Sequence, residues 1–324
     1  MMYVMTVAGL IVLLLGGDFL VRGSVSLARR LGISTLIIGL TVVALGTSAP
    51  ELVVSIEAVV AGSPSIAIGN VVGSNIANIL MVLGIPALLA PIICEGHLLN
   101  RTLFYMLVAS ALFIAFSWMG GFQWGHGLVL LLLFVAFLAD SYRRAMRDQA
   151  DALAVVSEVD DIQSVRGSVL ITLLAIAGGL VALMLGSYLL VEGASEIARS
   201  FGVSEAVIGL TLVAIGTSLP ELATCLMAAV RRHGDVAIGN VIGSNLFNIL
   251  AVMGAASIVG TVPVPEKFLY FDFWIMLGAS LLLVPFVLRR QPIGRVAGVI
   301  LVIAYAAYVA SQFIGISGIA AVHG

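Results

Sequence analysis

The stretch Gly39-Leu-Thr-Val-Val-Ala-Leu-Gly-Thr-Ser-Ala-Pro-Glu-Leu52 recurs almost unchanged, 170 residues later, as Gly209-Leu-Thr-Leu-Val-Ala-Ile-Gly-Thr-Ser-Leu-Pro-Glu-Leu222. A second stretch, Ala67-Ile-Gly-Asn-Val-Val-Gly-Ser-Asn-Ile-Ala-Asn-Ile-Leu80, keeps the same offset and matches Ala237-Ile-Gly-Asn-Val-Ile-Gly-Ser-Asn-Leu-Phe-Asn-Ile-Leu250. Each copy of the first stretch places one carboxylate inside an apolar segment long enough to cross a membrane. The chain is therefore a duplication that carries two copies of one polar site.

The composition around these blocks is that of an integral membrane protein. Hydrophobic residues make up 61% of the chain and charged residues 10%, whereas about 25% of residues are charged in soluble domains. The mean hydropathy is +1.19. Apolar runs predict an all-α fold of ten transmembrane helices. The spans are 3–27, 35–61, 66–90, 101–119, 124–141, 168–191, 205–230, 236–259, 268–288 and 293–314. No basic residue precedes the first run, so we expect a retained helix rather than a signal peptide.

The arginines predict the topology. Twelve of them fall in alternate connections and therefore on one face of the membrane: Arg29, Arg30, Arg101, Arg143, Arg144, Arg147, Arg166, Arg231, Arg232, Arg289, Arg290 and Arg295. The other face receives only Arg199 and Lys267, while Arg22 lies within the first span. By the positive-inside rule, the arginine-rich face is cytoplasmic and both termini are extracytoplasmic. The expected location is the cell (inner) membrane.

The span count predicts how the two halves are related. Five spans per copy is an odd number, so the second copy enters the membrane inverted, as in many secondary transporters. We predict a first repeat over 1–141, a cytoplasmic linker over 142–167 and a second repeat over 168–324. A regulatory calcium site is an alternative interpretation of the acidic linker, although it lacks the glycine and alternating ligands of a calcium loop.

The first repeated block predicts a broken helix lined with oxygen atoms. Thr47, Ser48 and Glu51 lie three and four residues apart, on one helical stripe. Pro50 has no N–H for the carbonyl of Gly46, so the helix is expected to unwind around 46–48 and free main-chain carbonyls. The second copy supplies Thr217, Ser218, Pro220 and Glu221.

The second repeated block adds hydroxyl and amide oxygens. Ser74 and Asn78 lie on one face of the third span, and Ser244 and Asn248 repeat this in the eighth. These pairs are either ion ligands or hydrogen bonds between helices. Asn75 and Asn245 point about 100° away on the helix and are interpreted as packing contacts.

The combined set of ligands selects the ion. It contains only oxygen atoms, which suit calcium and sodium rather than zinc, copper or iron. Two carboxylates balance one divalent cation. An empty site would leave both charges bare, at about 2.5–3.5 kcal/mol each on insertion scales, which favours obligatory exchange over uniport.

Other polar residues receive simpler interpretations. Asp18 and Arg22 are expected to form a local ion pair in the first span. Glu192 and Glu196 lie at the outer end of the sixth span, where they either line a cation entrance or form a solvated helix end. The two cysteines, Cys94 and Cys225, are expected to be free, packed thiols.

At its two repeated blocks the chain resembles the calcium/cation antiporter superfamily, specifically the prokaryotic sodium/calcium exchangers. The resemblance implies cation sites between spans 2, 3, 7 and 8, with alternating access as the first and sixth helices slide against the core. It implies calcium ligation by the carboxylates of Glu51 and Glu221, with hydroxyl or carbonyl oxygens from Thr47, Ser48, Thr217 and Ser218. Ser74 and Ser244 would complete sodium sites, Ala44 and Ala214 would supply carbonyls, and Asn78 and Asn248 would lie centrally. Many relatives have an aspartate at the position of Asn248.

The resulting hypothesis is a secondary active antiporter that exchanges Na⁺ for Ca²⁺, and not an enzyme. Calcium/proton antiport and potassium-dependent sodium/calcium exchange are the alternatives, because two facing carboxylates in an apolar site also favour protons. Ca²⁺ and Na⁺ are expected as transported ions, with no cofactor. Membrane lipid is the expected partner. No nucleic acid and no obligatory protein partner are expected.

Overall fold

The computed structural model describes residues 1–94, 97–153, 168–202 and 214–322, without the side chains of 97, 147–153, 214 and 313–322. The helices in these ranges are α1 (Met2–Leu31), α2 (Thr35–Thr47), α3 (Ala49–Val60), α4 (Pro64–Leu89), α5 (His97–Trp118), α6 (Trp124–Leu153), α7 (Val169–Ser200), α8 (Leu219–Val230), α9 (Gly234–Val259), α10 (Phe268–Leu288) and α11 (Arg295–Val322). A single helical turn, Ala214–Gly216, precedes α8.

The described helices match a multi-pass membrane protein. Eight of them are long and apolar enough to cross a membrane, and α2 with α3 forms a ninth, broken span. The predicted seventh span, 205–230, is described only from residue 214, where α8 is a shorter apolar helix. The count of ten therefore stays a prediction. Helix α6 continues to Leu153, into the predicted linker, and 154–167 lie outside the described residues.

Two short backbone pairings join connections between helices. Ile92 and Ile293 exchange N–H···O bonds of 3.1 and 2.9 Å, which ties the α4–α5 connection to the α10–α11 connection. Phe122 and Val262 exchange two bonds of 2.9 Å, which ties the α5–α6 connection to the α9–α10 connection. Each pairing joins two connections that the arginine pattern assigns to the same face.

Helices α1 and α7 pack antiparallel along a seam of glycines spaced seven residues apart. Gly9 and Gly16 on α1 face Gly186 and Gly179 on α7. A Cβ atom on Gly186 would come within 2.4 Å of the Leu13 nitrogen, so only glycine allows this backbone approach. The two helices therefore form one closely packed unit.

The central helices of the bundle are α4 and α9. They are buried over 83% and 89% of their most apolar windows, against 22% for α6 and 11% for α11. The outer helices thus leave apolar side chains for lipid, and the two inner helices carry the second repeated block. Both cysteines are buried and free, as predicted. Burial raises the pKa of the Cys94 thiol to about 12, which keeps it protonated and unreactive.

Candidate cation-binding site

The helix breaks just before the proline in the first repeated block and, within the described residues 214–222, in the second. Helix α2 ends at Thr47, and α3 begins at Ala49 with Pro50 in its first turn, at an angle of 43°. Ser48, at the break, has φ −90° and ψ 10°. Its counterpart Ser218 has φ −88° and ψ 3°, and Pro220 follows in the first turn of α8. The proline stops the preceding helix in each case because it cannot donate the bond that the carbonyl four residues earlier needs.

The asparagines of the second block lie in wide, π-helical turns. Helix α4 contains such a turn over Asn78–Val82, and α9 contains one over Phe247–Val252, which includes Asn248. One extra residue per turn leaves part of the backbone ladder locally irregular, and such turns are frequent at functional sites. The repeat relation is therefore preserved in this irregular feature as well.

The two carboxylates meet at the centre of the bundle. Glu51 is 1% exposed and Glu221 is fully buried. The Ser48 hydroxyl of the first repeat donates to Glu221 Oε1 of the second at 2.6 Å, and Ser244 donates to the same oxygen at 3.5 Å. The two carboxylates also lie close enough to repel each other. One compact site therefore forms from both repeats.

Most buried polar side-chain atoms without a partner in the described part of the chain belong to this site. They are both carboxylate oxygens of Glu51, Oε2 of Glu221, Oδ1 of Asn78, Oγ of Ser218, and Oδ1 and Nδ2 of Asn248. An unpaired buried polar atom costs about 1–3 kcal/mol, so native proteins rarely gather several of them. Nearly all are oxygen acceptors, which is the chemistry that binds a hard cation.

The remaining predicted ligands differ in burial. Thr47 and Ser74 are buried, and the carbonyl of Ala44 accepts the Ser48 N–H at 3.0 Å. Thr217 is partly exposed and lines a cleft between α3 and α7. Ala214 begins the helical turn before α8, and its side chain lies outside the described set.

Asn75 and Asn245 make packing contacts, as expected: the Asn75 side chain donates to Met276 Sδ on α10 at 3.8 Å, and the Asn245 side chain contacts the opposite central helix. Asn78 Nδ2 donates to Asn245 Oδ1 at 3.0 Å, and Asn245 Nδ2 donates to the carbonyl of Asn75 at 3.3 Å. These bonds join α4 to α9 across the two repeats. They also hold the amide of Asn78. Asn245 therefore packs against α4 and orients a predicted ligand.

Two asparagines outside the predicted set of ligands hold the site together. Asn70 Nδ2 donates to the main-chain carbonyl of Glu51 at 3.0 Å and to Ser55 Oγ at 2.9 Å. Its counterpart Asn240 accepts a hydrogen bond from Thr47 at 3.2 Å. A signal was present: 70, 74 and 78 are spaced four apart, so Asn70 lies on the same stripe as Ser74 and Asn78.

A hydroxyl on α7 donates a hydrogen bond to one of the two carbonyls that the prolines leave without a helical partner. Ser187 Oγ donates to the carbonyl of Gly216 at 2.7 Å, four residues before Pro220. In the first repeat the residue at the equivalent position is Gly17, which has no side chain. The two released carbonyls, of Gly216 and Gly46, therefore differ in their surroundings.

Two other acidic groups lie apart from these contacts. Asp18 pairs with Arg22 at 3.0 Å, as predicted, and also with Arg231 in the α8–α9 connection. Asp272 on α10 is a further buried carboxylate. It accepts hydrogen bonds from two residues of α11, at 3.0 Å from Tyr308 and at 2.8 Å from Gln312, and thus anchors that outer helix.

Comparison with known proteins identifies the family. The family profile described as "Sodium/calcium exchanger protein" matches residues 1–142 and 171–314. The chain belongs to the sodium/calcium exchanger family. It is 38% identical over 307 residues to an uncharacterised membrane protein of Methanocaldococcus jannaschii, covering 95% of this chain and 96% of the relative. It is 32% identical to the sodium/calcium exchanger MaX1 of Methanosarcina acetivorans, covering 96% of this chain and 98% of the relative.

The fold agrees with a solved member of this family. The structure of the sodium-calcium exchanger NCX_Mj soaked with 10 mM Na⁺ and zero Ca²⁺ superposes with a TM-score of 0.82 at 34% identity, over 96% of this chain and 98% of the other. The protein is therefore a membrane cation antiporter of the exchanger type.

Proposed function

We propose that this protein exchanges Na⁺ for Ca²⁺ across the cell membrane by alternating access. The observation that carries the proposal is the pair of buried carboxylates, Glu51 and Glu221, with unpaired oxygens around them where the two repeats meet. A site at the interface of inverted repeats can face either side of the membrane in turn.

Charge balance favours exchange over passive leakage. Asn78 and Asn248 are neutral, so the two carboxylates give the described site a charge of −2, which one Ca²⁺ balances. Without a cation, several buried oxygens would lack partners, so a conformational change that carries the site across unloaded would be costly. Two or more bound Na⁺ ions would neutralise the same carboxylates.

Neutral oxygens favour sodium as the coupling ion. Ser48, Thr47 and Ser244 bring hydroxyl groups to the carboxylate of Glu221, and these are suitable additional ligands for Na⁺. The name of the relative MaX1 and the Na⁺ soak of NCX_Mj point the same way. Proton coupling is the alternative, since two mutually repelling carboxyl groups are also suited to share a proton.

The test is calcium uptake into proteoliposomes with an imposed sodium, potassium or proton gradient. We expect that sodium leaving the vesicles down an outward gradient drives calcium uptake. No uptake is expected when choline replaces the sodium inside. Uptake that follows a pH gradient and ignores sodium would establish proton coupling instead. Uptake that needs both sodium and potassium would establish the potassium-dependent reaction.

Neutralising either carboxylate tests the site itself. Glu51→Gln and Glu221→Gln are expected to lower calcium uptake at least 100-fold, because each leaves a single negative charge for a divalent ion. Glu196→Gln, a carboxylate on α7 outside the site, is the matched control and should retain uptake. Normal uptake by both site variants would refute the assignment.

A further inference from the structure

Asn240 is a buried amide on α9 whose hydrogen bonds cross from one repeat to the other. Thr47, at the end of α2, donates to Asn240 Oδ1 at 3.2 Å. Asn240 Nδ2 donates to Cys225 Sγ at 3.5 Å, and that thiol donates to the carbonyl of Ala237 at 3.5 Å. Asn240 and Cys225 are fully buried and Thr47 is 1% exposed. The bonds therefore form one directed chain, from a predicted ligand to a backbone carbonyl.

The direction of this chain decides which atom of the amide faces Thr47. A thiol that gives its hydrogen to Ala237 has only lone pairs left for Asn240. The NH₂ group of the amide therefore faces the sulfur, and its oxygen faces Thr47. In the first repeat, Asn70 Nδ2 donates in the same way to Ser55 Oγ, at 2.9 Å. Ser55 and Cys225 are repeat counterparts, so this part of the arrangement exists twice.

Thr47 needs an acceptor for its hydrogen when a cation is bound. Its hydroxyl lies within reach of two acceptors, Asn240 Oδ1 and the carboxylate of Glu221, and a cation held by that carboxylate leaves Asn240 to accept the hydrogen. A hydroxyl has one hydrogen and two lone pairs, and a bound cation requires that a lone pair, not the hydrogen, points toward it. The carbonyl of Ala44 is a poorer acceptor, because it lies 3.5 Å away and already accepts from Ser48.

We propose that Asn240 is a positioning residue for cation binding. It accepts the hydrogen of Thr47, so that the Thr47 oxygen presents a lone pair to a Na⁺ or Ca²⁺ ion held by Glu51 and Glu221. Cys225 acts one step further away, by fixing the orientation of the amide. This inference rests on the proposed function, since it takes Thr47 as a ligand.

A double-mutant cycle tests the coupling between the two residues. Calcium binding to the purified full-length chain in detergent is measured by titration calorimetry for Thr47→Val, Asn240→Leu and the double variant. Each single change is expected to raise the calcium Kd about tenfold, the loss of one good hydrogen bond or ligand. The double variant should bind within about twofold of Thr47→Val. Losses that multiply to about 100-fold would overturn the proposal, because Asn240 would then act independently of Thr47.

Cys225 offers a second test that leaves Asn240 in place, which matters if Asn240→Leu does not fold. Cys225→Ser introduces the residue found at position 55 and keeps a donor and an acceptor, so calcium Kd should stay within about twofold. Cys225→Ala frees the amide, and we expect a loss of about threefold to fivefold. Equal affinity in the two variants would contradict the proposed role of the sulfur. A wild-type chain that neither binds nor transports calcium would refute the proposed function, whereas wild-type binding with independent losses refutes only the positioning role.

Discussion

Helices α1 and α7 contact the rest of the molecule differently, although the repeat relates them. On one side α1 lies directly on α8, where a Cβ atom on Gly17 would come within 2.9 Å of the Ala223 carbonyl oxygen. On the other side a cleft of about 460 Å³ separates α7 from α3. Ser187, the counterpart of Gly17, lines that cleft. We call these the sealed side and the cleft side.

Charges distinguish the two sides as clearly as packing does. On the sealed side, Asp18 of α1 pairs with Arg22 and with Arg231. The repeat counterparts of these three residues are Tyr188, Glu192 and Ala61. The cleft side therefore has no equivalent ion pair, and Glu192 is the charged residue that lines the cleft.

The cleft lies beside the predicted ligand Thr217. Its lining includes Pro50, Gly216, Thr217 and Pro220, which belong to the broken segments of both repeats. The arginine pattern predicts this side to be extracytoplasmic. Two halves with the same fold therefore differ in how tightly α1 and α7 pack, because the side chains at a few equivalent positions differ.

The strongest way to disturb the sealed side is a side chain at Gly17. Gly17→Leu cannot coexist with the present backbone contact, and overpacking of this kind costs about 1–3 kcal/mol. We expect calcium uptake to fall more than tenfold and hydrogen exchange in α8 to increase. Gly178→Leu is the matched control on α7, because a Cβ atom there has no neighbour within 4 Å, and a smaller effect is expected. Wild-type uptake by Gly17→Leu would show that this contact does not matter for transport.

Breaking the ion pair should weaken the sealed side without a steric clash. The side chains of Asp18 and Arg231 are 14% and 30% exposed, so a coupling of about 1 kcal/mol is reasonable for this pair. Asp18→Asn and Arg231→Gln are each expected to raise, about fivefold, the alkylation rate of a cysteine introduced into α8. The double variant should add little to either. Arg232→Gln removes a charge from the same connection and should leave the rate unchanged; an equal increase there would point to net charge instead.

The sequence predicted those features that one block determines locally. Pro50 and Pro220 predict the breaks because each proline lacks the N–H that would bond the carbonyl four residues earlier. Glu51 and Glu221 stand out because a carboxylate is rare in an apolar span. The asparagine turns were harder to foresee, since nothing in Asn78 or Asn248 alone signals an extra residue in the helical turn.

Contacts between distant segments were beyond the sequence. Arg231 reaches Asp18 from 213 residues away, and Thr47 reaches Asn240 from 193, so neither pair has a spacing that reveals it. The glycine seam could be predicted only in part. The spacing of seven residues is visible in Gly9, Gly16 and Gly23, but only the fold shows that these glycines pack against the matching row on α7. Which side is sealed depends on all of these contacts together.

Acid should act on the sealed side through His233, whose counterpart Ser63 does not titrate. Burial lowers the pKa of His233, Arg29 and Arg231 lower it further, and Asp235 opposes them. The unfolded chain therefore binds a proton that the folded chain resists, so stability falls as the pH drops below about 6.5. We expect His233→Gln to reduce the drop in unfolding temperature between pH 7 and pH 5 by about 2–4 °C. His126→Gln, at the start of α6, is the control; the same change there would exclude His233 as the cause.

The smallest expected effect concerns Glu192, the charge on the cleft side. A lone carboxylate beside a path to the site raises the local cation concentration without ligating the ion in the site. Glu192→Gln should therefore raise the apparent Km for calcium about two- to threefold at low ionic strength and leave the maximal rate unchanged. Choline chloride at about 1 M shortens the screening length to about 3 Å and should abolish the difference. Glu196→Gln, one turn further along α7 and outside the cleft lining, is the matched control. A lower maximal rate in Glu192→Gln, or a difference that persists in high salt, would place Glu192 in the binding site itself and make the two sides of the α1–α7 pair differ in ligation as well as in access.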